Sequence, residues 1–217
     1  MSCGCVSSNN DILLYELHKD KNPEQKKVID YFLKEAGCFS SCLSKNISDD
    51  EYEKLISTKA KSLNSKGKAL SKLGIDEDQV NEIEPVMFEG YSFKNAWYKR
   101  KANGDWVSSA YQISWLFFSS TQIYLYQYIF NMDEDKKSEL TEEYFYRDVT
   151  SFSTKTETEL AKEVKNGQIS KAEIESNKFI IIVPGASLTI ALDKTDDDYE
   201  NIIQGMKQKL REKKEQK

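Results

Sequence analysis

A chain of 217 residues is long enough to bury a substantial core, and its 39% hydrophobic and 31% charged content excludes a disordered or fibrous chain. Its 31 Lys and Arg stand against 36 Asp and Glu, a net charge of −5, so no global pull toward nucleic acid is expected. The N-terminal MSCGCVSSNN has no basic and apolar signal regions, Ser2 stands where N-myristoylation needs Gly, and the C-terminus has no prenylation box, so the expected compartment is cytoplasmic, with reduced thiols.

In chain order, Ile12 to Leu17 is a short apolar run whose type the pattern leaves open. Asn22-Pro23-Glu24-Gln25 then reads as a helix start: Asn caps, Pro occupies the first turn, and Gln reaches back. Ile29, Phe32, Leu33 and Ala36 follow at helical spacing, which predicts a helix over about 23–36 closed by Gly37. Ser48 with Glu51 is a capping box for a second helix over about 49–73, with Gly67 as a candidate kink and Gly74 as its stop.

From Pro85 the vocabulary changes to strands. Residues 85–93, 96–101, 106–118 and 122–131 are the first four, with Gly90 a candidate bulge and Asn103-Gly104 the turn between the second and third. The segment YQISWLFFSSTQIYLYQYIF is as long as a membrane span, but Gln, Ser and Thr interrupt it and its residues are strand formers. Folded about Ser120-Thr121 it becomes a hairpin. Phe117 then faces Tyr124, Trp115 faces Tyr126, Ile113 faces Tyr128 and Tyr111 faces Phe130 on one side. The other side sets Phe118 against Ile123, Leu116 against Leu125, and Ser114 against Gln127. The aromatic side is expected to form the core, and the second side to be covered by the N-terminal helices. A rack of rings for stacking bases is the functional alternative, but the hairpin has no Lys or Arg to go with it.

Beyond it, MDEDKKSELTEE reads as a surface loop, 144–154 as a fifth strand, and 155–177 as a polar loop or short helix. Residues 179–183 and 188–192 form a hairpin around Pro184-Gly185. Thr195 with Asp198 opens a final helix, whose stripe is Tyr199, Ile202, Ile203, Met206 and Leu210.

Seven strand candidates, mostly hairpin-linked, followed by one amphipathic helix predict an α+β fold. FEGYSFK, YRDVTS at 146–151 and FIIIVPG, with the helix ending KQKLREKK, make residues 85–213 resemble bacterial PH-like (pleckstrin-homology superfold) proteins. The resemblance implies a seven-stranded open antiparallel barrel capped by the C-terminal helix over 85–217, with residues 1–84 as an N-terminal helical extension. It brings a fold and no activity, for the family is largely uncharacterised. In its eukaryotic members basic residues near the first strand pair bind phosphoinositides; here Lys94, Lys99, Arg100 and Lys101 lie in that region, without the usual spacing. A solvated edge of alternating charge is the plainer reading.

Few residues suggest chemistry. Cys3, Cys5, Cys38 and Cys42 form two close pairs, the arrangement from which tetrahedral zinc sites are built, although free thiols, redox pairs or surface acylation fit the same spacing. His18, the only histidine, has no nucleophile motif around it and is expected to be exposed. Asp196-Asp197-Asp198 suits a helix N-terminus better than a cation site. From Lys207 onward 6 basic residues outnumber 2 acidic ones, a frayed helix end or a contact for anionic lipid. With no catalytic constellation, the expected role is a non-enzymatic binding or scaffold module without cofactor, its partner a protein or peptide. The alternatives are peripheral association with an anionic membrane surface, or a zinc or redox site at the cysteines.

Overall fold

A computed structural model describes residues 9–33, 46–80, 83–165, 168–192 and 197–215. Four helices come first: α1 (Asn9–His18), α2 (Pro23–Leu33), α3 (Asp49–Ser62) and α4 (Ser65–Leu73). The strands are β1 (Ile83–Ser92), β2 (Tyr98–Arg100), β3 (Trp106–Ser108), β4 (Ala110–Phe118), β5 (Gln122–Asn131), β6 (Lys137–Phe145), β7 (Ser151–Lys165), β8 (Gln168–Val183) and β9 (Ala186–Ala191). Helix α5 (Asp197–Glu215) ends the fold. The mixed α+β class and the C-terminal helix are as expected.

The expected caps form. Asn22 Oδ1 accepts the Gln25 N–H at 2.9 Å while Gln25 Oε1 accepts the Asn22 N–H at 3.1 Å. Ser48 and Glu51 exchange the same pair of bonds at the start of α3. Gly74 closes α4 with a φ of 66°, a conformation only glycine adopts without strain. The long helix expected over 49–73 is broken, but at Asn64, in the left-handed region with a φ of 44°, rather than at Gly67. A Cβ on Gly67 would lie 2.8 Å from the Asn64 amide, so glycine leaves that side chain its place. Gly37 and Thr195, the other expected caps, lie outside the described residues.

The strands form a four-stranded sheet in the order β1-β4-β5-β6, a three-stranded sheet β7-β8-β9, and the small hairpin β2-β3. All the ladders are antiparallel. The β4–β5 register is the one the side-chain pattern demands, with Trp115 opposite Tyr126 and Ser114 opposite Gln127. Its turn lacks glycine; instead the Ser119 hydroxyl accepts the Thr121 and Gln122 N–H groups.

Five expectations about the strands are corrected. The described residues contain nine strands rather than seven, in separate sheets with no closed barrel. Residues 106–118 are two strands, because Ser109 turns the chain out of the small hairpin: its N–H donates to Trp97 O and its hydroxyl accepts the Trp97 N–H. The acidic loop expected over 132–143 instead supplies most of β6, an edge strand whose charges face solvent. Residues 155–177, read as loop or helix, are the distal halves of β7 and β8, paired without interruption from Ser151–Ile182 to Lys165–Gln168. This arm is held by its edge, through Asn95 N–H to Leu160 O and Lys162 N–H to Ala96 O. The bulge in β1 lies between Ile83 and Val86, not at Gly90.

The two faces of the β4–β5 hairpin are covered the opposite way round from expectation. The aromatic face packs under the N-terminal helices: Tyr111, Ile113, Phe117, Tyr126, Tyr128 and Phe130 share a core with Val28, Tyr31, Tyr52, Ile56 and Leu73. The other face packs against the second sheet and α5: Leu116, Phe118, Ile123 and Leu125 meet Phe152, Phe179, Ile181, Ile203, Met206 and Leu210. Polarity explains the exchange. Tyrosine hydroxyls and an indole N–H need partners when buried, and the helix side provides them. On the hairpin, Tyr126 donates to Glu139 at 2.7 Å and Trp115 Nε1 to Ser65 Oγ at 3.0 Å, while from the helices packed on it Tyr31 donates to Asp49 at 2.8 Å and Tyr52 to Ser108 O at 2.7 Å. Helix lysines lie over the same strip, with Lys59 5.2 Å from the Phe130 ring and Lys68 4.7 Å from that of Tyr128.

The inter-sheet face carries Gln112, Ser114 and Gln127 where the sheets meet. Gln127 Nε2 donates to Thr189 O at 3.0 Å, and Gln112 Oε1 accepts the Ala191 N–H at 3.2 Å, so two side-chain amides satisfy the outer edge of β9. Gln112→Ala should leave the Ala191 N–H buried without a partner. The expected loss is about 1–3 kcal/mol, read from urea unfolding.

Candidate functional site: a groove along the first strand

The β2–β3 hairpin is the outer wall of the site, and its turn is a three-residue loop closed by Gly104, whose φ is 93°. Ion pairs fasten it to α3. Lys99 Nζ lies 4.1 Å from the Tyr31 ring centre and 3.6 Å from Asp49, and Lys101 Nζ bridges Glu53 and Asp105. The Ala102 N–H donates to Asp49 at 3.1 Å. Burial pushes the Asp49 carboxyl up, but the Ala102 N–H, the Tyr31 hydroxyl and Lys99 outweigh it and hold the group below the usual range. Burial lowers the Lys101 ammonium, but Glu53 and Asp105 more than reverse this.

The hairpin and α3 stand apart from β1, leaving a groove of about 780 Å³. Its floor is lined by Tyr91, Phe93, Tyr111 and Ile113, which are themselves buried and belong to the core shared with the N-terminal helices. Ile56 and Ala60 of α3 form one wall and Trp106 another, with Ser176 and Leu192 opposite. Met87 and Trp106 open onto it, 37% and 39% exposed, unusual for side chains of this size. Four acids line it, Glu53, Glu89, Asp105 and Glu175, against two lysines, Lys61 and Lys101. The Ser176 wall is held to the end of β1 by a buried cluster. Lys178 and Ser176 both donate to Glu159, at 2.6 and 2.8 Å, and the Phe93 N–H approaches it at 3.4 Å.

A second groove, about 570 Å³, lies between the start of β1 and α5, with Ile83, Pro85, Val86, Ile202 and Met206 along it. A third cavity, about 300 Å³, sits where α1, α2, the β5–β6 turn and the arm of β7 and β8 meet. Asp133 lines it, 5% exposed, with Oδ1 buried and without a hydrogen-bond partner. Burial raises its carboxyl above the usual range, and the Ser109 hydroxyl and Lys162 offset this only in part.

The expected anionic-ligand residues are dispersed or engaged. Lys94 is exposed beyond β1, while Arg100 lies over the Trp106 ring at 5.5 Å and donates to Gly104 O. Lys99 and Lys101 hold α3. His18 is not exposed as expected but half-buried, 3.0 Å from Asp30, where it ties α1 to α2. The basic C-terminal run is not frayed at its start. Residues as far as Glu215 are helical, Lys214 donates to Thr150 O, and Lys213 lies 5.8 Å from the Tyr146 ring. Cys3, Cys5, Cys38 and Cys42 lie outside the described residues, as does Asp196. Among the described residues no three His, Cys, Asp or Glu side chains gather as metal ligands, and no helix is long and apolar enough to cross a membrane. The groove was missed from sequence because its floor residues read as ordinary core; only an exposed Met87 and Trp106 mark it.

No family model, curated protein or solved structure matches the chain.

Proposed function

We propose that the chain is a non-enzymatic binding module of PH-like architecture, carrying an N-terminal helical extension and working in a bacterial cytoplasm. Its partner is a protein or peptide seated in the groove along β1. The architectural part rests on order: a four-stranded sheet, a three-stranded sheet and a terminal helix follow one another as in that superfold, with the β2–β3 hairpin inserted after the first strand. The observation that carries the binding role is the groove itself, with an aromatic floor, exposed Met87 and Trp106, and polar groups at its rim. An anionic membrane surface is the weaker reading, since Lys99, Arg100 and Lys101 are turned to intramolecular partners.

A photo-cross-linker in place of Met87 should capture one discrete protein in the native cell, and Trp106→Asp in the same chain should abolish the capture. Sedimentation with vesicles of anionic lipid should leave the chain in the supernatant. Pelleting that depends on anionic lipid, with no capture at Met87, would transfer the function to the membrane surface.

A further inference from the structure

The edges of the second sheet are unequally covered. The outer edge of β7 is met by residues 95–97, through Asn95 N–H to Leu160 O and Lys162 N–H to Ala96 O. The outer edge of β8 is met by β9, but only from Val183 back to Lys178, with one further bond from Leu192 N–H to Asn177 O. β8 continues to Gln168, so among the described residues 168–176 are paired on the β7 side alone. No described element except β7 and β9 packs closely along β8. An unpaired edge of this length is a template for another strand.

The hydrogen-bonding phase of that edge follows from Asn177. Its carbonyl faces β9, so the alternate residues before it, Glu175, Glu173, Lys171 and Ile169, also turn their N–H and C=O groups outward. The side chains of these four share the exposed face of the arm.

Their charges make the edge complementary to itself. Ala172 is the midpoint of 168–176. Antiparallel pairing about a two-fold axis at Ala172 matches the whole unpaired length. It sets Lys171 opposite Glu173 of a second copy, and Glu173 opposite Lys171 of that copy. Moving the axis one residue either way keeps the backbone groups in phase but opposes Lys171 to Lys171 or Glu173 to Glu173. Opposite charges directly across a strand pair stabilise it and like charges destabilise it, so the register centred on Ala172 is selected. Ala172 itself falls where the two strands approach most closely, at a pair without hydrogen bonds, and its side chain is small enough to meet its own copy there.

We propose that the chain forms a two-fold dimer through the distal edge of β8. The β7–β8 arms of the two copies then make one continuous four-stranded antiparallel sheet. The contact is a single strand pair, so the dimer is reversible and forms with rising concentration. It involves a different surface from the proposed peptide groove and does not depend on what that groove binds.

Sedimentation equilibrium of the full chain should show monomer passing to dimer and no larger species, because a two-fold contact uses up the edge. Lys171→Glu and Glu173→Lys should each weaken association by about tenfold or more, since each turns both cross-strand pairs into like charges. Both positions are exposed, so the melting temperature of the monomer should not change. Mixed in equal amounts, the two variant chains should associate again, for every Glu of one then faces a Lys of the other. The double variant should dimerise by itself. Glu173→Pro removes an outward N–H and no bond to β7, so it should abolish association while the fold is kept. A wild-type chain that stays monomeric at every concentration would overturn the inference. So would a dimer indifferent to the charge reversals or to the proline, or variant chains that fail to associate when mixed.

Discussion

Tyr52→Ala should destabilise the protein by about 3–5 kcal/mol in urea or guanidinium unfolding, the largest effect expected of a single side chain in the helix layer. The ring is fully buried and stacks on Tyr31 at 4.6 Å, with Phe32 edge-on to it at 5.2 Å. It stands where α2, α3 and the first sheet meet, so a cavity there loosens all three. Tyr52→Phe separates the hydroxyl from the ring. The hydroxyl donates to Ser108 O at 2.7 Å, and Ser108 in turn donates to Ser92 O at 2.6 Å, which joins β3 to β1. Losing that bond should cost about 1–2 kcal/mol. Burial, reinforced by Tyr91 and Asp133, holds the Tyr52 phenol well above its usual range, so it stays a donor throughout the working pH range.

Asp133→Asn should move stability the other way, raising it by about 1–3 kcal/mol near neutral pH. Asp133 in the folded chain is a carboxyl whose proton affinity is raised, chiefly by burial. A raised folded-state value means that the folded chain holds the proton at pH values where the unfolded chain has released it. Stability from this group is therefore complete below the unfolded value near 3.8 and falls as pH rises through the folded value. Once the folded carboxyl has ionised, the wild type carries the penalty of a buried charge with one unpartnered oxygen, and the amide removes the charge. The advantage of the variant should shrink as pH falls and vanish in acid. Unfolding curves of both chains from acid to neutral pH check this. A pH-independent difference would place the effect in packing. Comparison with the variant is needed because Asp49 and Glu139 act with the opposite sign. Their lowered values give stability that is lost as pH falls.

Much of the architecture is legible in local patterns. The caps at Asn22 and Ser48, the stop at Gly74, the glycine turns at 104 and 185 and the β4–β5 register each depend on residues within a few positions of one another or directly across a turn. The arm of β7 and β8 was not legible, although Asn166-Gly167 between its strands has the composition that two-residue hairpin loops prefer. Its distal side chains are mostly polar, so neither period stood out. It is a strand pair because β8 continues from the core and because residues 95–97 bond to its edge.

What the sequence determined by itself was which residues share a face. Alternation along the β4–β5 hairpin separates Trp115, Tyr126 and Tyr128 from Leu116, Phe118 and Leu125 whatever surrounds them, because side-chain direction in a strand has period two. What the tertiary structure alone decided was which neighbour covers each face. Both faces are apolar enough to be core. The choice falls to polar groups on the aromatic face, the Tyr126 hydroxyl and the Trp115 N–H, which find Glu139 and Ser65 on the side the helices cover. The same placement of α3, pinned by Lys99 and Lys101, stops short of β1 and leaves the groove that is the candidate binding site. No period or spacing encodes that gap, since it is set by distances between elements far apart in the chain.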